Sequence, residues 1–222
     1  MADVSHLEAA LIAARLAEVR SRIRDAASLA GRQGSEVEVL LASKYVGLEQ
    51  MPILADAGVQ LVGENRAQAL AAKASAYPNR FTWDFIGALQ SRRVREILPH
   101  VRLIHSLASE SAARQLARFA HLASPSLQLL IEVNVSGQQG KAGIAPHQID
   151  QLIEVAPFPV TGLMTMPPAS DDPEQSRRHF AALRELAAHR GLQRLSMGTS
   201  QDYLVAVQEG ATIVRLGRSL LT

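Results

Sequence analysis

The chain contains no cysteine. Disulfides, thiolate nucleophiles and cysteine-held metals are therefore excluded. Aromatic residues make up only 4% of it, too few for the stacking platforms that hold single-stranded nucleic acid. The formal net charge is +2 over 222 residues, so no strong field of one sign surrounds the molecule. No stretch approaches the ~18 uncharged apolar residues of a membrane helix. The opening MADVSHLEAALIAARL lacks the basic segment and apolar block of a signal peptide, so a cytoplasmic location is expected. The glycine fingerprint GxGxxG is also missing.

Lysine is nearly missing too. Of 23 lysines and arginines, only three are lysines: Lys44, Lys73 and Lys141. Arginine stays protonated and is no amine nucleophile. A desolvated lysine loses its proton and condenses with aldehydes. Lys44 ends the apolar run VEVLLAS and is the candidate for such chemistry. Lys73 lies in the alanine-rich LAAKASAY and reads as part of a solvated helix face. Lys141 lies in the glycine-rich loop SGQQGKAGI and reads as a mobile, solvated lysine with a secondary role as the alternative.

What is present is a rhythm. Residues 5–30 predict an amphipathic helix: Ile12, Leu16, Val19 and Ile23 form one stripe, Ser5 is a candidate cap and Gly31 a stop. Strand-like runs follow at 37–43, 60–64, 81–87, 101–107, 127–135, 159–166, 193–198 and 211–217. Helical stretches at 48–57, 66–76, 91–98, 109–122, 146–155, 173–190 and 202–209 separate them. Eight strands alternating with helices predict a parallel sheet. In a chain of this length they fit a closed (β/α)8 TIM barrel with an extra N-terminal helix, residues 1–222 forming a single domain; an open doubly wound sheet is the alternative.

A barrel of this kind carries its site where the strands end. Lys44 stands there after the first strand. MGTS (197–200), after the seventh, and RLGRS (215–219), after the eighth, each run from a strand into a helix. Free backbone N–H groups and hydroxyls at such junctions favour a phosphate. The first and eighth strands of a barrel are neighbours, so a phosphorylated aldehyde fits between them. Arg215 would share the rim, and facing a pyridine nitrogen it would keep that nitrogen unprotonated. His105 is the one strand-end histidine; the other six fall on helices or their ends without metal spacing. SRRVR (91–95) is a basic cluster for an anion or RNA, read as a solvated helix face, so nucleic acid is not an expected partner.

The segments LLASKYVG, LVGENRAQAL, WDFIGALQSRRVREIL, IHSLAS, IEVNVSGQQGKAGI, GLMTMPP and LSMGTSQDYLVAVQEGATIVRLGRSLL span almost the whole chain. In them the sequence resembles the pyridoxal phosphate homeostasis proteins, which are related to the N-terminal barrel domain of alanine racemase. The resemblance implies pyridoxal 5′-phosphate (PLP) held as an internal aldimine on Lys44. It also implies that Asn65 contacts the cofactor, that Ser200 and the backbone of Gly217 and Arg218 hold the phosphate, that Arg215 faces the ring nitrogen and that Met164 lines the ring pocket. The sequence departs from the family pattern at Tyr45-Val46-Gly47, Ala88 and Ala108. It departs also at Arg218, where a small hydroxyl residue is usual, leaving the phosphate to the backbone or to the arginine's charge.

The resemblance implies a carrier or regulator in PLP homeostasis, with PLP and apo PLP-dependent enzymes as partners and no metal. The alternative is a PLP-dependent amino-acid racemase. Racemisation needs an acid/base on each face of the substrate carbon. In alanine racemase a tyrosine of a second domain of the partner subunit supplies one, and the chain stops just after the eighth strand and its short helix. A monomer without robust turnover is expected.

Overall fold

The computed structural model describes residues 7–222. Helix α1 spans Ala9–Leu29 and buries Ile12, Leu16, Val19 and Ile23, the stripe that the 4-3-4 spacing predicts. It ends at Gly31, whose φ of +68° suits glycine, while Arg32 donates its backbone N–H back to Ala27. The first turn follows Glu8 without a side-chain cap; the expected cap, Ser5, lies outside the described residues.

The eight expected strands all form: β1 (Glu38–Ala42), β2 (Leu61–Glu64), β3 (Thr82–Phe85), β4 (Leu103–Leu107), β5 (Gln128–Glu132), β6 (Val160–Met164), β7 (Arg194–Thr199) and β8 (Ile213–Leu216). Between them lie α2 (Met51–Asp56), α3 (Ala67–Ala76), α4 (Val94–Ile97), α5 (Glu110–Arg118), α6 (Ile149–Val155), α7 (Arg177–Ala188) and α8 (Tyr203–Gln208), and α9 (Arg218–Leu221) follows β8. Every strand pairs in parallel with the next in chain order. β8 then pairs with β1, placing Glu38 opposite Ile213 and Leu41 opposite Leu216. This pairing closes the (β/α)8 barrel and excludes the open sheet.

Alternation along the strands splits the core in two. Leu41, Ile104, Leu129, Leu163 and Val214 belong to the large core beneath the helices. Leu40, Leu103, Leu130, Met164 and Ile213 form a separate cluster inside the barrel. Asp84, His105, Ser196 and Arg215 are also buried, and they occupy the inward parity of β3, β4, β7 and β8. The barrel is thus filled partly by aliphatic and partly by polar side chains.

Candidate functional site

A cavity of about 870 Å³ opens at the C-terminal ends of the strands. Lys44, Asn65, Ser200, Arg215, Gly217 and Arg218 all line it. Met164 does not. Its side chain is buried in the inner cluster with Leu40 and Leu130, and the half-exposed Met166, two residues on, forms that wall. The physical reason is depth: Met164 is the last residue of β6 and packs inside the barrel, whereas Met166 lies two residues beyond the strand, at the mouth.

Lys44 lies two residues beyond the end of β1 and is exposed, its Nζ 4.8 Å from the ring centre of Tyr45. Behind it stands a buried carboxylate, Glu64, at the end of β2. Glu64 accepts from the Ser43 hydroxyl at 3.0 Å and from the Asn65 backbone N–H at 2.9 Å. It also pairs with Lys73, which donates in addition to the Ser43 carbonyl at 2.9 Å. Lys73 is therefore not on a solvated face; it is only 6% exposed. The alanines around it leave room for its stem, and the carboxylate supplies the counter-charge that burial demands. One carboxylate thus joins the residue before Lys44 to the residue Asn65. Gly87 completes this wall, because a Cβ there would stand 2.0 Å from the Asn65 carbonyl oxygen.

Across the mouth, the turns after β7 and β8 meet. Gly198 takes φ of +91°, and Thr199 donates its backbone N–H to Asp202 at 2.7 Å, turning the chain into α8. The Ser200 hydroxyl accepts from the backbone N–H groups of Gly217 at 3.4 Å and Ser219 at 3.2 Å, and lies 3.1 Å from the Ser219 hydroxyl. Of this group, Ser200 and Gly217 line the same cavity as Lys44. Ser219, the last residue of RLGRS, belongs to this hydrogen-bonded group but does not line the cavity. The exposed Arg218 adds a positive charge at the rim.

Arg215 forms the floor. It donates to the Ser196 carbonyl at 2.7 Å, the Ser196 hydroxyl at 2.6 Å, the Thr165 carbonyl at 2.9 Å and the Met166 sulfur at 2.9 Å. Burial pulls its pKa down to about 10, against the attraction of Glu132 and Asp202, so it remains a cation at neutral pH. Burial also pushes the Glu132 carboxyl up, and the charge of Arg215 opposes that shift. His105 lies one step deeper, wholly buried between Ser196 and Asp84, and does not line the cavity. Lys141 is not a free solvated lysine: it donates to the Pro167 carbonyl at 3.0 Å, tying the loop after β5 to the loop after β6.

Among the described residues, no group of three or more His, Asp or Glu side chains could hold a metal ion, and no helix is long and apolar enough to cross a membrane. In the SRRVR segment Arg93 pairs with Glu96 at 2.6 Å, while Arg92 and Arg95 are exposed.

The family model for the alanine racemase N-terminal domain matches residues 14–222. The pyridoxal phosphate homeostasis protein of Aquifex aeolicus is 38% identical over 217 residues, covering 93% of this chain and 95% of that protein. The chain belongs to the pyridoxal phosphate homeostasis protein family. A second member of the family, from Pseudomonas aeruginosa, is 37% identical over 216 residues and 94% of each chain. Among solved structures, PipY of Synechococcus elongatus with PLP bound superposes with a TM-score of 0.78 at 30% identity, covering 95% of this chain and 100% of that one.

Proposed function

We propose that this protein binds PLP at the barrel mouth, held as a Schiff base on Lys44, and serves intracellular PLP homeostasis as a carrier or regulator. The observation that carries the reading is one cavity lined by a primary amine, the Ser200 hydroxyl beside the Gly217–Arg218 turn, and a buried arginine. Each matches one part of the cofactor. The aldehyde is supplied by the cofactor and condenses with the lysine amine, releasing water. The backbone N–H groups of Gly217 and Arg218, with Ser200, take the phosphate, and Ser200 gives up the contacts it makes to Gly217 and Ser219. Arg215 faces the ring nitrogen and disfavours its protonation. Asn65, fixed through Glu64, borders the ring. Met166 replaces Met164 as the apolar contact. The PLP-bound relative supports this choice of cofactor.

Catalytic racemisation is not favoured, because among the described residues the only tyrosine lining the cavity is the immediate neighbour of Lys44. Tyr45 stands against Lys44 itself. Tyr77 donates to the Leu48 carbonyl, and Tyr203 is buried; neither lines the cavity. The carrier is read as a cytoplasmic monomer that hands PLP to apo PLP-dependent enzymes.

The test is chemical. Protein loaded with PLP should be yellow, and borohydride should fix the cofactor on the peptide carrying Lys44. Lys44→Ala should abolish the fixation. Fixation elsewhere, or a protein that takes up no PLP, would overturn the reading. Rapid racemisation of free amino acids would replace the carrier with an enzyme.

A further inference from the structure

Inside the barrel a polar chain runs inward from Arg215. Its hydrogen-bond directions are fixed by chemistry. A guanidinium only donates, so the Ser196 hydroxyl accepts from Arg215 at 2.6 Å. Ser196 Oγ lies 2.8 Å from His105 Nδ1 and donates its hydrogen to it in the neutral tautomer that turns Nε2–H to Asp84. His105 Nδ1 is therefore bare and Nε2 carries the hydrogen, which points at Asp84 Oδ2 at 3.1 Å. The other neutral tautomer would set a bare nitrogen against a carboxylate. Asp84 is held in turn by Arg102, whose Nε donates to Oδ1 at 2.9 Å, and Arg102 reaches Glu38 at 2.8 Å on the far side of the barrel.

We propose that Ser196, His105 and Asp84 are positioning residues for Arg215, a one-way donor chain that holds its guanidinium plane fixed toward the cavity. The proposal rests for its meaning on the reading of Arg215 as the partner of the ring nitrogen. Two main-chain carbonyls already anchor the guanidinium, and the Ser196 hydroxyl adds a third point that fixes its rotation. All three chain members are fully or almost fully buried, so none is there to meet solvent. The chain also explains an otherwise costly choice: interior positions of small barrels are ordinarily filled by aliphatic side chains. The charged groups acting on the histidine are Asp84, which draws a proton to it, and Arg215 and Arg102, which repel one; Glu132 acts on Arg215.

The experiment has a cofactor-free half. In the protein stripped of PLP, nitrogen-15 NMR should show His105 as the neutral Nε2–H tautomer, and the guanidinium hydrogens of Arg215 should exchange slowly. Ser196→Ala and His105→Leu break the chain and should make that exchange fast. His105→Gln keeps an acceptor toward Ser196 and a donor toward Asp84, and should preserve it. In the second half, the two breaking variants should bind PLP about ten-fold more weakly, the scale of one hydrogen bond to a charged group, and His105→Gln should bind as the parent does. The opposite tautomer, or a folded Ser196→Ala with unchanged exchange and unchanged affinity, would overturn the proposal. If His105→Leu fails to fold, Ser196→Ala decides alone. Failure of the parent to bind PLP would sink the functional reading, while the exchange measurements would still decide the chain.

Discussion

At the scale of single residues, Lys73 and Glu64 show how much a buried pair is asked to do. Removing one partner leaves the other charged and enclosed, which costs about 3–5 kcal/mol. Lys73→Met should therefore lower the urea midpoint strongly, whereas a solvated lysine would tolerate the change within about 0.5 kcal/mol. Glu64 also joins Ser43 to Asn65, so the same variant should weaken PLP binding without touching the cavity. His105 supplies a pH signature. Burial lowers its pKa below the ordinary 6.5, so the unfolded chain takes up a proton that the folded one refuses. Its stabilising share is complete above about pH 6.5 and is lost as the pH falls. Glu132 acts in the opposite sense: burial raises its pKa above the usual 4.5, so its share is present below that value and lost as the pH rises through the folded-state pKa. Between about pH 7 and about pH 5, the stability of the parent should thus fall more steeply than that of His105→Gln, as read from urea midpoints across that range.

At the scale of elements, the strands and the first helix were legible because their signals are local. The stripe of α1 and the apolar runs of β1 to β8 follow directly from side-chain spacing. Helix edges were less legible. The stretch 48–57 opens with a 3₁₀ turn, Leu48–Gln50, before α2, and 91–98 likewise starts with Ser91–Arg93 before the short α4. The strand expected through residue 135 stops at Glu132, where the chain leaves the sheet and Asn134 instead bonds to the backbone of Ile144. The site divides in the same way. Lys44, Ser200 and Arg215 stand at strand ends and could be read from the order of elements. The burial of Lys73 could not, because its partner Glu64 comes from a different element and only the folded chain brings them together. Met164 was misplaced by one step of a two-residue repeat, an error the strand pattern alone does not resolve. At the element junctions, Gly198→Ala should cost at least about 1–2 kcal/mol, because φ of +91° is strained for alanine and the new methyl would meet Ala206 at 2.6 Å. A thermal melt reads the loss. Gly87→Ala should in addition displace the Asn65 backbone and reduce PLP affinity in a direct titration.

For the whole molecule, stability and chemistry occupy different parts of one barrel. The outer core and α1 hold the ring of helices, and the inner polar chain leads to the mouth. Leu16→Ala, in the middle of α1, should cost about 2–5 kcal/mol and leave the borohydride-trapped yield per folded molecule unchanged. A drop in that yield would tie α1 to the pocket. The closing pair, β1 with β8, has a further consequence for how such a protein comes into being. The amine is made early in synthesis and the serine turns that face it are made last. On that reading no complete cradle exists until β8 has joined β1, so a chain cut short before β8 should take up no PLP.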